Sequence, residues 1–184
     1  MDVLRVLPRS PARGSRLAAM AILLLAGAVA FPTASRSTSV DRLSDQDLVS
    51  LSSMIVEGRV TGVRSEWTSD HTQIHTIVTI RVSTALKGAA PGNGLLVLRL
   101  LGGQVGDTVM ELIGGPTFVT DEEVIVFVEA GGPELMPITG LFQGKFTVTT
   151  DAVSGARVIS ERQVPRDAFV EQISRMVVEQ EGGR

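Results

Sequence analysis

The chain has 184 residues, of which 43% are hydrophobic and 20% are charged; its formal net charge is −3, and it contains no cysteine. This composition is too apolar for an intrinsically disordered protein, and without cysteine a small disulfide-stapled domain is excluded. The sequence has no Gly-X-Y period and no heptad run, which excludes the fibrous classes, and one domain is expected at this length.

The amino-terminal segment has the arrangement of a secretory signal peptide. A start with four arginines is followed by an uncharged run, LAAMAILLLAGAVA, in which Ala28 and Ala30 supply the small-x-small pattern that signal peptidase needs. This run is shorter than the ~20 apolar residues that span a bilayer, which favours a cleaved signal over a retained anchor. We therefore predict a signal peptide over residues 1–30, with cleavage after Ala30 and a site near Ala34 or Ser35 as the alternative.

Export would also change the charge of the protein. Residues 1–30 contain four arginines and one aspartate, so their removal takes the formal charge from −3 to −6. An acidic domain is poorly suited to nucleic acid, whose binding depends on neutralising phosphates, and it lacks a basic patch for anionic lipid. The expected location is the periplasm or the outside of the cell, with no stable membrane insertion after cleavage.

A flexible leader and a short helix are the first elements predicted after the signal. The leader, residues 31–43, contains a serine-rich polar stretch with no hydrophobic periodicity. Ser44 or Asp45 can cap the helix, Asp47 suits the positive end of its first turn, and Leu48 marks its apolar side.

The first long strand, residues 54–67, has a break in its alternation. Val56 and Val60 share one parity, whereas the apolar positions after Gly62 begin at Val63, on the other parity. A change of parity at glycine is typical of a β-bulge, and strongly bent strands of this kind are found in small barrels.

The second long strand, residues 74–86, alternates without a break. Val78 and Ile80 belong to an apolar face, whereas His75 and Arg81 belong to the opposite one. The segment between the two long strands, WTSDHTQ, is predicted to be a hairpin turn.

Glycine-rich turns separate the remaining predicted strands. These strands are expected at residues 95–101, 107–113, 123–129, 156–160 and, as two short pieces, within 136–149. The segment EVIVFVE at 123–129 is the most apolar of them and is expected to be central in the sheet.

The chain ends in a predicted amphipathic helix over residues 165–180. Its apolar stripe follows the i, i+4, i+7, i+8 spacing and is formed by Phe169, Ile173, Met176 and Val177. Pro165 suits the first turn, and the glycine pair in the tail, residues 181–184, is expected to stop the helix.

The pattern of curved strands, glycine turns and a single closing helix predicts a mainly β protein. We expect one domain over residues 44–180, built as a small closed β-barrel of the oligonucleotide/oligosaccharide-binding (OB) type with five to six curved antiparallel strands. It would have a short N-terminal helix and a C-terminal amphipathic helix. A small β-sandwich is the alternative, and a doubly wound α/β fold would instead alternate helices with strands.

Six motifs carry a resemblance between about Val56 and Val148: EGRVTGVRSEW, IHTIVTIRVSTALKG, GGQVGD, GGPTF, EEVIVFV and GLFQGKF. In this order they resemble a group of exported bacterial proteins with no settled function. They also look like the OB barrel of the netrin and tissue-inhibitor-of-metalloproteinase type. The resemblance implies an OB-like barrel in an exported protein. Those inhibitors chelate zinc through an N-terminal cysteine, which this chain lacks, so the resemblance does not imply that mechanism.

No catalytic, metal-binding or cofactor-binding set is predicted. His71 and His75 form HTQIH, but four residues along a strand cover about 13 Å, too far for one metal ion to bridge. The mature chain has neither a G-x-S-x-G elbow nor an S-x-x-K motif. The glycines at 102, 103 and 106 are not followed by G-K-[ST] or a helix pattern, so they are read as hairpin residues rather than a phosphate loop.

The candidate binding residues lie in two places. In GLFQGKF the glycines permit a tight loop that could project Phe142 toward a partner, beside Gln143 and Lys145. Trp67 lies at a strand end and is the second candidate. In both places, packing of the aromatic side chain within the domain is the alternative explanation.

Three functions follow from this sequence. The first is an exported, non-enzymatic binding module that acts through protein or peptide contacts on loops at one end of the barrel. The second, by analogy of fold alone, is a protease-associated or inhibitory domain. The third is a hydrolase, which would require a deep pocket with convergent polar groups. Few aromatic residues and an acidic charge disfavour nucleic acid as a partner.

Overall fold

A computed structural model of the protein describes residues 42–129 and 136–183. Within these ranges it confirms a mainly β architecture with antiparallel strands, a short helix before them and a longer helix after them. The predicted signal peptide (1–30), its cleavage motif at Ala28 and Ala30, and the leader up to residue 41 lie outside the described residues. No helix in the described ranges is long and apolar enough to cross a membrane.

The described residues form two α-helices, one 3-10 helix and nine strands. Helix α1 is Asp45–Leu51, helix α2 is Arg166–Gly182, and the 3-10 helix is Leu141–Gly144. The strands are β1 (Ser52–Trp67), β2 (Ile74–Lys87), β3 (Leu95–Leu101), β4 (Gly103–Val105), β5 (Thr108–Met110), β6 (Glu123–Glu129), β7 (Lys145–Thr150), β8 (Arg157–Ile159) and β9 (Val164–Pro165).

Helix α1 begins at the predicted cap. The Ser44 hydroxyl accepts a hydrogen bond from the Asp47 N–H at 3.1 Å, and the Asp47 carboxylate accepts one from the Ser44 N–H at 3.0 Å. This reciprocal pair satisfies two N–H groups that have no partner inside the helix. The helix buries Leu48 and Val49, and it ends where Ser52 turns to an extended backbone.

Seven of the strands form one antiparallel sheet in the order β3-β2-β1-β6-β7-β8-β9. Strand β1 pairs with β2 on one side and with β6 on the other, and β6 is the middle strand of the seven. The apolar segment predicted to be central is β6, and its Val124 and Phe127 are fully buried. That prediction is therefore confirmed.

The pairing of β1 with β2 contains three register shifts. One lies between Val60 and Gly62 and leaves Thr61 as an extra residue, which confirms the bulge predicted from the change of parity. Another lies between Glu57 and Gly58. A Cβ on Gly58 would overlap the carbonyl oxygen of Arg81, so the two strands approach here more closely than a side chain allows.

The sheet carries a hydrophobic cluster on each face. One face is covered by both helices, and its cluster includes Ile55, Phe127, Phe146, Phe169 and Ile173. The opposite face holds a second cluster, which includes Val56, Val60, Val78, Leu98 and Val126. Because neighbouring residues of a strand point to opposite faces, Ile55 and Val56 belong to different clusters.

The strand count differs from the expected five to six. The strand predicted over residues 156–160 is present as β8, whereas β4 and β9 were not predicted. These two strands have three and two residues, which is too short for alternation to reveal. A separate hairpin is formed by β4 and β5. Among the described residues β3 and β9 each pair on one side only, so the hydrogen-bonded order is open, and barrel closure stays a prediction.

Helix α2 confirms the predicted apolar stripe. Phe169, Ile173 and Val177 are buried, and Met176 packs against the same cluster. The helix runs to Gly182, so it includes the first two residues of the predicted tail.

Candidate functional site

The β4–β5 hairpin packs across the face of β1 and β2 that carries the second cluster. The Thr76 hydroxyl donates a hydrogen bond to the carbonyl oxygen of Gly102 at 2.7 Å and lies 3.0 Å from the Ser65 hydroxyl. A Cβ on Gly103, whose φ is 137°, would overlap both hydroxyls. Glycine is therefore required at 103, and the hairpin predicted at these glycines is confirmed, with its turn at Gly106.

A crevice of about 350 Å³ lies between this hairpin, residues 111–118 and the sheet. We call it the apolar crevice; its apolar walls are Val63, Val78, Leu100, Met110, Leu112 and Phe118. A smaller cavity shares Leu100 and Leu112 with it and extends to Met136, Ile138 and Leu141. The smaller cavity therefore lies between the end of β3 and the segment that leads into β7.

Exposed apolar side chains surround the apolar crevice. Ile113 is 94% exposed, Val109 is 64% exposed and Phe142 is 49% exposed. Val109 lines the crevice and Ile113 lies between two residues that line it, while a Cβ on Gly114 would lie 3.7 Å from the Phe142 ring. Apolar side chains grouped around a concave site are typical of a surface that contacts another molecule.

The structure places Phe142 and Gln143 in the 3-10 helix and Lys145 directly after it, but their side chains have different surroundings. Phe142 is the one with a large exposed surface. The Gln143 side-chain oxygen accepts a hydrogen bond from the Leu43 N–H at 2.8 Å. Lys145 Nζ lies 2.5 Å from a carboxylate oxygen of Glu122 and 5.0 Å from the centre of the Phe118 ring. Gln143 and Lys145 therefore anchor the segment that presents Phe142.

Trp67 lies apart from this group, in a second cleft at the end of β1. Its ring stacks on that of His71, with the centroids 6.2 Å apart and the planes at 25°. The cleft has a volume of about 560 Å³ and is also lined by Glu66, Gln73, His75 and Arg99. Of the four predicted binding residues, Phe142 and Lys145 lie beside residues that line the apolar crevice, Gln143 bonds to Leu43, and Trp67 belongs to this other cleft.

The cleft beside Trp67 contains a histidine–carboxylate pair. His75 Nε2 lies 3.0 Å from Glu66 Oε1, and Arg64 contacts the other carboxylate oxygen. These two hydrogen bonds, that of His75 first, hold the pKa of Glu66 below its usual value. His75 is buried, and its Nδ1 has no hydrogen-bond partner among the described residues.

This pair is only part of a catalytic arrangement. A nucleophilic hydroxyl is activated by a base within hydrogen-bond reach. In His75, Nε2 already contacts the Glu66 carboxylate, and Nδ1 is buried away from solvent. The Thr68 hydroxyl in the same cleft donates to Asp70. The arrangement therefore orients the imidazole and joins the ends of β1 and β2, where Glu66 and His75 are cross-strand partners.

The outer edge of β3 offers backbone groups next to the apolar crevice. Gly102 N–H bonds to Ile74 oxygen, and Val82 N–H bonds to Gly94 oxygen. In an antiparallel pair, this register points the amides of even-numbered β3 residues at β2 and those of odd-numbered residues away from it. Val97 and Leu101 therefore turn their N–H groups outward, and within the described ranges β3 pairs with β2 alone.

Comparison with known proteins gave no match to any protein-family model and no match to any curated protein.

Sequence reasoning missed Val109, Ile113 and the edge of β3 as parts of this site. One strand is expected over residues 107–113, and it would alternate between a buried and an exposed face. The strand instead stops at Met110, so Ile113 projects from a loop. The signal that was present is the Gly114-Gly115-Pro116 sequence, which breaks the strand and leaves a preceding isoleucine without a sheet to cover it.

Proposed function

We propose that this protein is an exported, non-enzymatic binding module that captures an extended apolar peptide segment of another protein. The single observation that supports this most is the apolar crevice with its exposed rim of Val109, Ile113 and Phe142, next to the outer edge of β3. The bound segment would add as a strand to that edge and place alternate side chains in the crevice.

The shape of the site favours an extended peptide over a folded domain. A crevice of about 350 Å³ has room for a few side chains. A strand added to β3 continues its pleat, so that one set of its side chains lies on the same face as Leu98 and Leu100, where the crevice opens. The outward amides of Val97 and Leu101 would supply the main-chain hydrogen bonds that give strand addition its affinity.

The same proposal accounts for the open sheet. We infer that the sheet is a barrel of the OB type whose seam lies between β3 and the segment from Met136 to Leu141. Three register shifts between β1 and β2 supply the bending that a barrel needs, and residues from both sides of the seam line the smaller cavity. A bound peptide strand would occupy this seam.

Fluorescence anisotropy tests the function directly. The probes are labelled short peptides that alternate apolar and polar residues, and each is paired with a version that carries proline at a central position. We expect saturable binding of the alternating peptides and its loss with proline, because proline removes a backbone donor and does not fit a central ladder. Equal binding of both versions would show that no strand is added.

Two exposed apolar residues provide a matched pair of variants. Ile113→Ser removes a rim side chain that is 94% exposed, and Val153→Ser removes one that is 96% exposed in the β7–β8 loop. Neither change disturbs the core. We expect Ile113→Ser to weaken peptide binding about tenfold, from the loss of one buried aliphatic side chain, and Val153→Ser to leave it unchanged. Equal affinity of the two variants would contradict the proposal.

A further inference from the structure

The opposite face of the sheet contains a groove of about 600 Å³ that is rich in arginine. We call it the arginine groove. It lies between β1, β2 and the start of α2, and four of its lining side chains are guanidinium groups, those of Arg59, Arg81, Arg157 and Arg166. Arg59 and Arg81 point away from the face that holds Val60 and Ile80, so this groove is separate from the apolar crevice.

Two of these arginines face each other directly. Arg59 and Arg81 are cross-strand partners in the β1–β2 register. Like charges placed opposite each other destabilise a strand pair, so this arrangement costs free energy unless an anion lies between them. Arg59 contacts a carboxylate oxygen of Glu123, whereas Arg81 has no ion pair within the part of the chain that the structure describes.

The groove carries more positive than negative charge. Four guanidinium groups are balanced by two carboxylates, those of Glu57 and Glu123, in a chain whose formal net charge is −3. Arg166 contacts the Glu57 carboxylate through its Nε and Nη2. Glu123 is shared between Arg59 and Arg157, and the distance from its second oxygen to Arg157 Nη2 is 2.6 Å. Both carboxylates thus already form ion pairs with other arginines of the groove, and neither forms one with Arg81.

Further donors remain on the arginines that already have partners. The hydrogen bonds of Arg157 to Glu57 and Glu123 both use its Nη2, which among the described residues leaves its Nε and Nη1 available. Within the same ranges, the hydrogen bonds of Arg59 use Nη1 and Nη2 and leave its Nε available. A guanidinium presents five N–H groups in a fixed fork that matches the oxygens of phosphate, sulfate or carboxylate.

We propose that the arginine groove binds a tetrahedral oxyanion, the phosphate or sulfate group of a ligand, with Arg81 as its principal contact and Arg59 and Arg157 as supporting donors. The carboxylate of Glu57 holds Arg166 in place at the wall of the groove, while Glu123 competes with the ligand for Arg59 and Arg157. This binding is independent of peptide capture at the apolar crevice.

Isothermal titration of the full chain with inorganic phosphate and, separately, with sulfate tests this inference. Each titration is done at constant ionic strength set with chloride, so that screening is the same throughout. We expect saturable binding of at least one anion, with heat changes larger than those of the chloride blank. The anion that binds more tightly indicates whether the ligand carries a phosphate or a sulfate group. Heat changes that match the chloride blank for both anions would overturn the proposal.

Three variants locate the site. Arg81→Gln removes the guanidinium proposed as the principal contact and should weaken anion binding about tenfold, as expected for loss of a charge-assisted hydrogen bond. Glu123→Gln removes a competing charge and should tighten binding about fivefold, as expected for one unit charge at contact distance in water. Arg175→Gln removes the same charge as Arg81→Gln from the exposed side of α2 and should have no effect. If Arg81→Gln and Arg175→Gln bind the anion equally, the groove is not the site.

Discussion

The carboxylate of Glu57 on β1 is held by the guanidinium of Arg166, the first residue of α2. Glu57 Oε1 accepts a hydrogen bond from Arg166 Nε at 2.9 Å, and its second oxygen accepts one from Nη2. Only 5% of the Glu57 side chain is exposed. The hydrogen bond to Glu57, followed by that to Asp167, raises the pKa of Arg166. The pair therefore joins the start of the C-terminal helix to the middle of the sheet.

Arg166→Ala should cost about 3 kcal/mol of the free energy of unfolding, because it leaves the buried carboxylate of Glu57 without its main partner. We place the loss at the low end of the range for broken buried pairs, since the Arg166 side chain is 21% exposed. Urea denaturation measures it. Arg175→Ala is the control, because its contact with Glu171 is exposed and should contribute at most about 0.5 kcal/mol. Similar losses for both variants would show that the buried pair is not stabilising.

Two glycines on β1 should respond in opposite ways to alanine. In Gly58→Ala the new Cβ would overlap the Arg81 carbonyl oxygen, and we expect a loss of about 1–3 kcal/mol from overpacking. In Gly62→Ala the Cβ would meet nothing within 4 Å, so stability should be unchanged or rise by up to about 1 kcal/mol. The midpoint of urea unfolding compares the two. Equal destabilisation would mean that β1 and β2 do not approach closely at Gly58.

The turn between β1 and β2 should show a carboxyl group with a low pKa. Hydrogen bonds from the Thr68 hydroxyl, then from the Thr72 N–H and hydroxyl, lower the pKa of Asp70 from 3.8 to about 2. Since the folded pKa is depressed, the charged carboxylate stabilises the turn above pH 4, and this contribution is lost as the pH falls from about 4 to about 2.

Thr68→Val removes the first of these hydrogen bonds and should raise the pKa of Asp70 toward 3.8. The carboxyl carbon chemical shift, followed through an acid titration, measures it. Asp151 is the internal reference, because Ser154 lowers the pKa of that carboxyl in a different loop, and its titration should not move. An Asp70 titration that is the same with and without Thr68 would contradict the described turn.

Local patterns predicted the elements whose stability depends on neighbours in sequence. The Ser44 cap and the bulge at Gly62 each depend on a few adjacent residues, and both are present. The stripe of α2 is visible for the same reason. Such features can be predicted from the sequence because the side-chain periodicity of a helix or a strand shows within a few consecutive residues. The predicted unbroken alternation of β2 is wrong, because Ser83 and Leu86 are extra residues in its pairing with β1. Leu86 therefore packs against the cluster on the other face from Val78.

The features that were not predicted depend on contacts between distant residues. Glu57 and Arg166 are 109 positions apart, so nothing in the EGR sequence around Glu57 distinguishes a buried glutamate from an exposed one. The arginine groove needs β8 and the start of α2 to lie beside β1, and β8 has only three residues. The apolar crevice likewise depends on where the β4–β5 hairpin packs, which its own sequence does not specify.

The proposed export makes a prediction about the covalent chain. If the signal peptide is cleaved after Ala30, intact-mass measurement of the exported protein should give a chain that begins at Phe31. Ala28→Arg should block processing, because signal peptidase requires a small residue at that position. Val29→Leu is the control, since the middle position of the small-x-small motif is not restricted. A mature chain that still begins at Met1 would contradict the proposal.

Amide hydrogen exchange at β3 tests peptide capture most directly. The N–H groups of Val97 and Leu101 point away from β2, whereas those of Leu98 and Leu100 point toward it. With saturating alternating peptide, we expect exchange at Val97 and Leu101 to slow markedly, because a new strand accepts hydrogen bonds from them, while Leu98 and Leu100 serve as the internal reference. Bound peptide with unchanged exchange at Val97 and Leu101 would contradict strand addition at this edge.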